Sequence, residues 1–367
     1  MSPKIIVVGA GYAGVSAAQR FARAGVGATV VNPRAEFVER IRLHQLLAGN
    51  REAALPLRSL LPERAEFVQD AVSTIDTAQR RALLASGREL EFDHLVHAVG
   101  SRGRLDVIPG AQKHAVCVSV LEDARIARER FAALAAGSVV TVVGGGLTGV
   151  ELAGELAELG QHAIRLVTDG SAAPGVSERG RAHVRRFLGE HGVDLLEDTR
   201  VEEVHGSEIA CTGGTARSDL TIVVAASTPP ALAADSDLDV DADGALRVDR
   251  TLVSSCPAVV GAGDAARVTA APLRRSCQAA IPLGAHAADT VLHQIRGSSP
   301  KPARPKFVGQ CVSLGRRDGL WQQTTPSDRP VRLIATGRPA AVIKEKVCAG
   351  TIGVSLNPRI APIASWG

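Results

Sequence analysis

Two glycine-rich turns constrain this 367-residue chain more than anything else in it, because each stands directly between a β-branched run and an amphipathic helix. The first, Gly9-Ala10-Gly11-Tyr12-Ala13-Gly14, follows Lys4-Ile-Ile-Val-Val and opens a helical stretch, Gly14 to Ala24. Gly9 permits the tight turn, Gly11 removes a side chain so that backbone N–H groups can approach a pyrophosphate, and Gly14 lets the helix pack close to the strand. The helix N-terminus then presents its unpaired N–H groups to the phosphates. The second turn, Gly144-Gly145-Gly146-Leu147-Thr148-Gly149, repeats the arrangement between Val139–Val143 and the helical stretch Thr148 to Leu159. The spacing alone is a weak signal; a strand before and a helix after make it a dinucleotide turn, so two dinucleotides are expected.

The rest of the chain fits that reading. Ala28 to Val31, Leu95 to Val99, Ile164 to Val167, Leu220 to Val224 and Val259 to Val260 look like fully buried parallel strands, which points to an α/β fold with doubly wound sheets. The two helical stretches end at Gly25 and Gly160, where a helix C-terminus favours glycine. Arg296 to Lys306 is a Pro/Ser-rich connector, and the shorter strands expected beyond it, Val331 to Ala335 and Ala341 to Lys344, suggest a third, smaller domain.

Composition excludes several classes of function. With 42 basic and 38 acidic residues and no basic face, nucleic-acid binding is not expected. The six cysteines, Cys117, Cys211, Cys256, Cys277, Cys311 and Cys348, form no close pair, so neither a metal site nor a dithiol relay is expected; they read as reduced core thiols. The most apolar long stretch, Ser138 to Leu159, is broken by Glu151, Glu155 and Glu158, which argues against a membrane span. The first strand begins at Lys4 with no room for a targeting segment before it, so a cytoplasmic protein is expected.

The residue that reads the ribose stands at the end of the second strand of such a unit and is usually acidic. Here it is Asn32, in Val30-Val31-Asn32-Pro33-Arg34, which lacks the charge that repels a 2′-phosphate and does not name the nucleotide. FAD tolerates that change best. In the second unit the position falls at Thr168-Asp169: Asp169 favours NADH, while Thr168 does not forbid NADPH.

On these turns, together with Asp93-His-Leu-Val-His-Ala-Val-Gly100, Ile108-Pro-Gly110 and Val260-Gly-Ala-Gly-Asp264-Ala-Ala266, the chain resembles the flavoproteins with two dinucleotide-binding domains. Within them it resembles the type II NADH dehydrogenases and the apoptosis-inducing-factor-like, ferroptosis-suppressor-like oxidoreductases. The resemblance implies an FAD domain built from residues 1–110 and 248–298, an NAD(P) domain at 111–247 and a C-terminal interface domain at 299–367. It implies that Asp264 binds a ribityl hydroxyl, that Gly263 lets the backbone pass the pyrophosphate, and that Gln278-Ala279 lies along the flavin. Arg42, His44 and Gln45 reach the flavin from the first domain, with Arg34, Val72, Ala98 and Gly100 completing the FAD set. Gly144, Gly146, Thr148 and Gly149 would hold the nicotinamide dinucleotide, and Glu151 would lie by the two rings.

Glu151 has an equal alternative as an exposed helix residue. His44 could deliver a proton, anchor the flavin covalently, or be a hydrogen-bonded structural histidine. Pro282 stands where a quinone-side glutamine is found in type II NADH dehydrogenases, and Cys348 to Gly367 has no apolar face at helical spacing, which puts quinone reduction at a membrane in doubt. The function expected is hydride transfer from NADH or NADPH to FAD, with electrons passing to a small acceptor such as a soluble quinone. A tailoring oxidoreductase of secondary metabolism, suited by the departures at Asn32, Val99 and Ser227, and a slow redox-responsive binding protein remain open. Homodimerisation through the C-terminal domain is the expectation from the fold class.

Overall fold

The computed structural model describes residues 3–269, 273–304 and 306–359. Two parallel five-stranded sheets carry it. The first runs in the order Val259–Gly261, His94–His97, Ile5–Val8, Ala28–Asn32, Ala65–Gln69, with Val7 beside Val30 on one side and Val96 on the other. The second runs Ala115–Cys117, Leu220–Val223, Val139–Val143, Ala163–Val167, Asp194–Leu196. Every residue of Ile5–Val8 is buried, as a strand covered on both faces requires. The outer strand Val259–Gly261 rejoins the first sheet only after the whole second sheet has been built, so the fold is two nested Rossmann-like units followed by a small α+β domain.

Five helices position the site: α1 (Tyr12–Arg23), α2 (Leu43–Leu47), α3 (Leu147–Leu159), α4 (Cys277–Ile295) and α5 (Gly337–Gly350). Gly25 and Gly160 take the left-handed conformation just past α1 and α3, with φ of 78° and 64°. Helices α1 and α4 cross so closely that a Cβ on Gly284 would stand 2.0 Å from the Ala13 carbonyl oxygen. Ser16 Oγ donates to the Ile281 carbonyl across that crossing at 2.7 Å, and Arg20 pairs with Asp289 at 2.6 Å.

In the C-terminal domain, an antiparallel sheet of Gly309–Leu314, Asp318–Thr324 and Pro330–Thr336 leads into α5. The strand expected at Ala341 to Lys344 is therefore helix. Ala340, Cys348 and Thr351 are buried and Lys344 nearly so, a helical and not an alternating period, and Asp318 caps the helix start by accepting from Gly337 N at 2.9 Å. Pro339 falls in the first turn, where its missing N–H costs nothing. The helix continues as a π turn over Thr351–Ser355, and Leu356 then enters the first core, its carbonyl accepting from Gln19 Nε2 at 2.8 Å. The stretch expected to have no apolar face at helical spacing is therefore helical as far as Ser355; residues 360–367 of it, and residue 305 of the connector, lie outside the described residues. No helix among the described residues is long and apolar enough to cross a membrane. Of the cysteines, Cys117, Cys211 and Cys348 are buried, while Cys256, Cys277 and Cys311 are only partly so; all are free thiols.

His97 is a buried polar residue of the first sheet. Its ring is completely buried, and neither nitrogen has a hydrogen-bond partner among the described residues. Burial lowers its pKa to about 4. Because the folded pKa lies below the ordinary value of roughly 6.5, the unfolded chain takes up the proton first, and stability falls as pH drops from about 6.5 towards 4. Replacing His97 with Ile should raise stability at pH 7 by about 1–2 kcal/mol and flatten the acid limb of a urea-denaturation series by about 1.4 kcal/mol per pH unit. Equal pH slopes in the two proteins would show that His97 is not held neutral.

Candidate active site

The first turn is built as its glycines require. Gly9 has φ +95°, and a Cβ on Gly14 would lie 1.8 Å from the Gly9 carbonyl oxygen, so nothing larger fits where α1 meets the strand. Any side chain on Gly9 would also meet the Ala98 carbonyl at 2.4 Å, which places the Ala98 strand end directly behind the turn. Over Gly11, by contrast, the space is open, with no atom within 4 Å of a built Cβ. Tyr12 is buried edge-on against Phe37, ring centroids 5.1 Å apart.

Asn32 shows why an amide stands in place of a carboxylate. Its Oδ1 accepts from Ala10 N at 3.1 Å and its Nδ2 donates to the Arg34 carbonyl at 2.8 Å, a second bond that Asp cannot make. The Arg34 side chain pairs with Glu122 at 3.1 Å. Val72 is brought to this edge because Asp70 N donates to the Asn32 carbonyl at 3.1 Å, although its side chain packs into the core.

Gly263, with φ +73°, closes on Ala13, whose Cβ would be 3.0 Å from a Cβ placed there. Next to it, the Asp264 carboxylate accepts from Arg40 Nη1 at 3.2 Å and from Ser101 Oγ at 3.1 Å. A Cβ on Gly100, at φ +72°, would be 3.9 Å from the same Arg40 atom. Nothing in the chain order points to Arg40 or Ser101, because both act only through the fold. Gly9, Gly11, Ala13, Gly14, Ala98, Gly100, Gly263 and Asp264 thus come together around one open, N–H-rich face. These residues suit FAD: helix N–H groups for phosphate, and a fixed carboxylate for sugar hydroxyls.

The second turn has the same construction. Gly144 has φ +122° and backs onto Ala225 at 2.8 Å from a built Cβ, Gly149 stands 1.8 Å from the Gly144 carbonyl oxygen by the same measure, and Gly146 is open. Thr148 is exposed at the start of α3. Thr168 is buried, its Oγ1 only 2.6 Å from where a Cβ on Gly145 would be, whereas Asp169 projects into solvent. Of the two, Asp169 is the one free to meet a ribose.

Glu151 is not the exposed helix residue of the alternative reading; it is 6 % exposed. Its Oε1 accepts from Lys344 Nζ at 2.7 Å, from Ser313 N at 2.9 Å and from Ser313 Oγ at 3.3 Å. His44 stands on the other side, Nδ1 4.0 Å from Glu151 Oε2 and Nε2 3.3 Å from Ser313 Oγ. Burial pushes the Glu151 carboxyl up, but the Lys344 ammonium and the Ser313 N–H outweigh it and hold it below the ordinary carboxylate range. Burial likewise works against the Lys344 ammonium, and Glu151 more than restores it. His44 has its pKa lowered to about 4 by burial, which Glu151 only partly opposes, so its ring is neutral. One junction therefore joins α2 of the first unit, α3 of the second, and the sheet and helix of the C-terminal domain.

Arg42 and Gln45, expected at the flavin, are engaged elsewhere. Arg42 is fully buried and forks onto Glu345 of α5 at 3.0 and 2.8 Å, with Gln45 Oε1 accepting from it at 3.1 Å. Gln278 Oε1 accepts from Arg274 at 3.3 Å, and Ala279 N donates to the Ser276 cap at 3.3 Å. Lys344 and Ser313 escape sequence reasoning, since the helix carrying Lys344 reads as a strand.

The family described as pyridine nucleotide-disulphide oxidoreductase matches residues 3–288. Among curated relatives, a probable ferredoxin reductase, CtmF, of Castellaniella defragrans is 27% identical over 83% of this chain and 78% of its own length. The NADH dehydrogenase-like protein Rv1812c of Mycobacterium tuberculosis is 28% identical, covering 96% and 95%, and human ferroptosis suppressor protein 1 is 26% identical, covering 87% and 88%. Among solved structures, the sulfide:quinone oxidoreductase of Aquifex aeolicus superposes with a TM-score of 0.84 at 17% identity, covering 98% of this chain and 93% of its own. The NDH2 of Plasmodium falciparum in complex with NADH gives 0.83 at 14%, covering 98% and 96%. The chain belongs to the pyridine nucleotide-disulphide oxidoreductase family and is an FAD-dependent NAD(P)H oxidoreductase.

Proposed function

We propose that this enzyme moves a hydride from NAD(P)H to its flavin and delivers the electrons to a small acceptor, of which a soluble quinone is the leading candidate. The observation that carries the reading is the Glu151 junction. There the helix following the nicotinamide turn, the His44 segment of the flavin unit and the C-terminal domain share one hydrogen-bonded cluster, and one helical turn along α3 Glu155 joins the same three parts by accepting from Asn50 and Arg316. The relatives named for ferredoxin, NADH and demethylphylloquinone chemistry support an acceptor that varies across the family on a constant electron-input half.

In this proposal residues 1–110 with 248–298 hold FAD, 111–247 hold the nicotinamide dinucleotide, and 299–367 cover the junction. When bound, FAD supplies the two-electron chemistry. The chain supplies orientation: Gly9, Gly11 and Gly14 hold one dinucleotide, Gly144, Gly146 and Gly149 the other, and Glu151 with Lys344 fixes where the two rings meet. Glu151 and Lys344 stay charged and His44 stays neutral across the physiological range, so these side chains position and exclude water without exchanging protons.

Anaerobic stopped-flow mixing of the FAD-loaded enzyme with NADH and NADPH tests the proposal: the flavin band should bleach with at least one of them within the time of a turnover. Persistence of the oxidised spectrum with both would rule it out. The rate of bleaching should be flat from about pH 5.5 to 9, because His44 titrates near 4 and the Glu151–Lys344 pair outside that window. A break near the ordinary histidine value of about 6.5 would instead assign His44 a proton. Removing one partner of the buried pair leaves an uncompensated charge, so Glu151→Gln and Lys344→Met should each destabilise the protein by about 3–5 kcal/mol. The double variant should recover most of that loss in urea denaturation; additive losses would mean that the two charges are not coupled.

A further inference from the structure

A cavity of about 370 Å³ opens on the second unit, and its lining includes Lys113, His114, Arg130, Leu134, Gly206 and Asp219. It lies at the amino-terminal edge of the parallel sheet. Asp219 immediately precedes the strand Leu220–Val223 and stands level with Val139, the first residue of Val139–Val143. The glycine turn of this unit leaves the opposite, carboxyl end of Val139–Val143. At roughly 3.3 Å per residue, the five residues of that strand separate the cavity from the turn by about 16 Å. None of the lining residues belongs to either glycine turn or to the Asp264 face.

The walls are held by backbone bonds. Asp219 N donates to the Val139 carbonyl at 2.8 Å, Ser218 N to the Ser207 carbonyl at 2.9 Å and His114 N to the Gly110 carbonyl at 3.0 Å. Over Gly206 the space is open: a Cβ there would meet only His114 Nδ1, at 3.8 Å. The volume falls in the range of small-molecule pockets, roughly 300–1,000 Å³. A cavity already formed costs little ordering when it is filled.

Its charge is unbalanced. Arg128 pairs with Glu52 at 3.3 Å and Arg217 with Asp219 at 3.0 Å, whereas the side chains of Lys113, His114 and Arg130 have no carboxylate or hydrogen-bond partner among the described residues. Asp219, the one carboxylate of the lining, is committed to Arg217 and to Val139 N, which it accepts at 2.7 Å. Lys113 and His114 lie in the last turn of the short helix Ala111–His114, and Arg130 in the last turn of Leu121–Ala132. Those carbonyl ends favour a cation, which explains the placement, but they supply no counter-ion. Two permanent cations and an imidazole thus face one hollow, and ammonium and guanidinium donors are matched to anionic oxygens.

We propose that this cavity binds a small oxyanion with two or more negative charges, borne by phosphate or by carboxylate groups, at a site separate from both dinucleotides. Lys113 and Arg130 supply the opposing charge, His114 a further polar contact, and the bare backbone at Gly206 the room.

Calorimetric titration of the FAD-loaded enzyme tests it, with NAD+ or NADP+ filling the second turn so that neither set of helix N–H groups is open to the probe. The probes are inorganic pyrophosphate and citrate. At least one should fill a single site per chain, with an affinity that weakens as salt is raised. Binding of pyrophosphate alone would assign the site to phosphate, of citrate alone to polycarboxylates, and of both to multivalent oxyanions as a class. The double variant Lys113→Gln, Arg130→Gln should raise the dissociation constant about tenfold or more. Gly206→Leu, which fills the cavity and leaves the charges in place, should weaken binding at least as much. FAD content and the rate of flavin bleaching should match wild type in both, since none of these residues touches a dinucleotide turn. No saturable binding of either probe, or wild-type affinity in the double variant, overturns the proposal. So does loss of FAD or of bleaching in the double variant, which would place the two cations in the dinucleotide machinery. Should the double variant not fold, Gly206→Leu decides alone, with unchanged affinity contradicting the assignment.

Discussion

Everything in this molecule is arranged around two places where a helix touches the carbonyl of the turn that launches it. A methyl group on Gly14 would lie 1.8 Å from the Gly9 oxygen, and one on Gly149 the same distance from the Gly144 oxygen. That contact fixes each helix on its strand with the N-terminal N–H groups facing the same open side, over Gly11 and over Gly146. Anion binding follows from those free N–H groups and the aligned dipoles. The second consequence is architectural, since a helix seated this deeply lets the next layer approach, and Gly284 of α4 comes to rest on Ala13 of α1.

The nested order of the two units places the chemistry. Because Val259–Gly261 returns to the first sheet after the second is complete, the Gly263-Asp264 turn and α4 close over the first dinucleotide turn from the far side of the chain. The C-terminal domain then ties the units together through buried charge. Arg42 to Glu345 and Lys344 to Glu151 are both made by α5, one reaching the first unit and one the second. Of the two, Lys344 to Glu151 is buried at both ends, whereas Glu345 is half exposed and shared with Arg51; breaking a buried pair is costly, which favours a single register. Here that register holds Glu151 beside His44.

How much of this the sequence discloses depends on the range of the interactions concerned. The turns, the parallel strands and the helix ends at Gly25 and Gly160 are local, and the chain spells them in order. The α5 helix is hidden because Ala341-Val342-Ile343-Lys344 reads as a β-branched run, and only the sheet beneath it reveals that Ala340, Lys344, Cys348 and Thr351 form the inward row. The antiparallel meander in each unit, Val72–Asp76 to Glu89–Glu91 and Val201–Val204 to Gly214–Arg217, is equally hard to see because its strands are short and half exposed. Within the site, glycines are legible because a backbone conformation demands them. Arg40, Ser101, Ser313 and Lys344 are not, because their partners lie far away in sequence. Arg42 and Gln45 are legible as important residues, but not the bond between them or the fork of Arg42 onto α5.

The central claim is that one chain holds two different dinucleotides at once, on two turns of the same design. Counting them tests it most directly. The FAD-loaded protein should carry one flavin per chain, and calorimetric titration with NAD+ or NADP+ should then fill one further site per chain without releasing flavin. Displacement of FAD by the nicotinamide nucleotide, or failure of either nucleotide to bind a fully flavin-loaded chain, would contradict the account at its base.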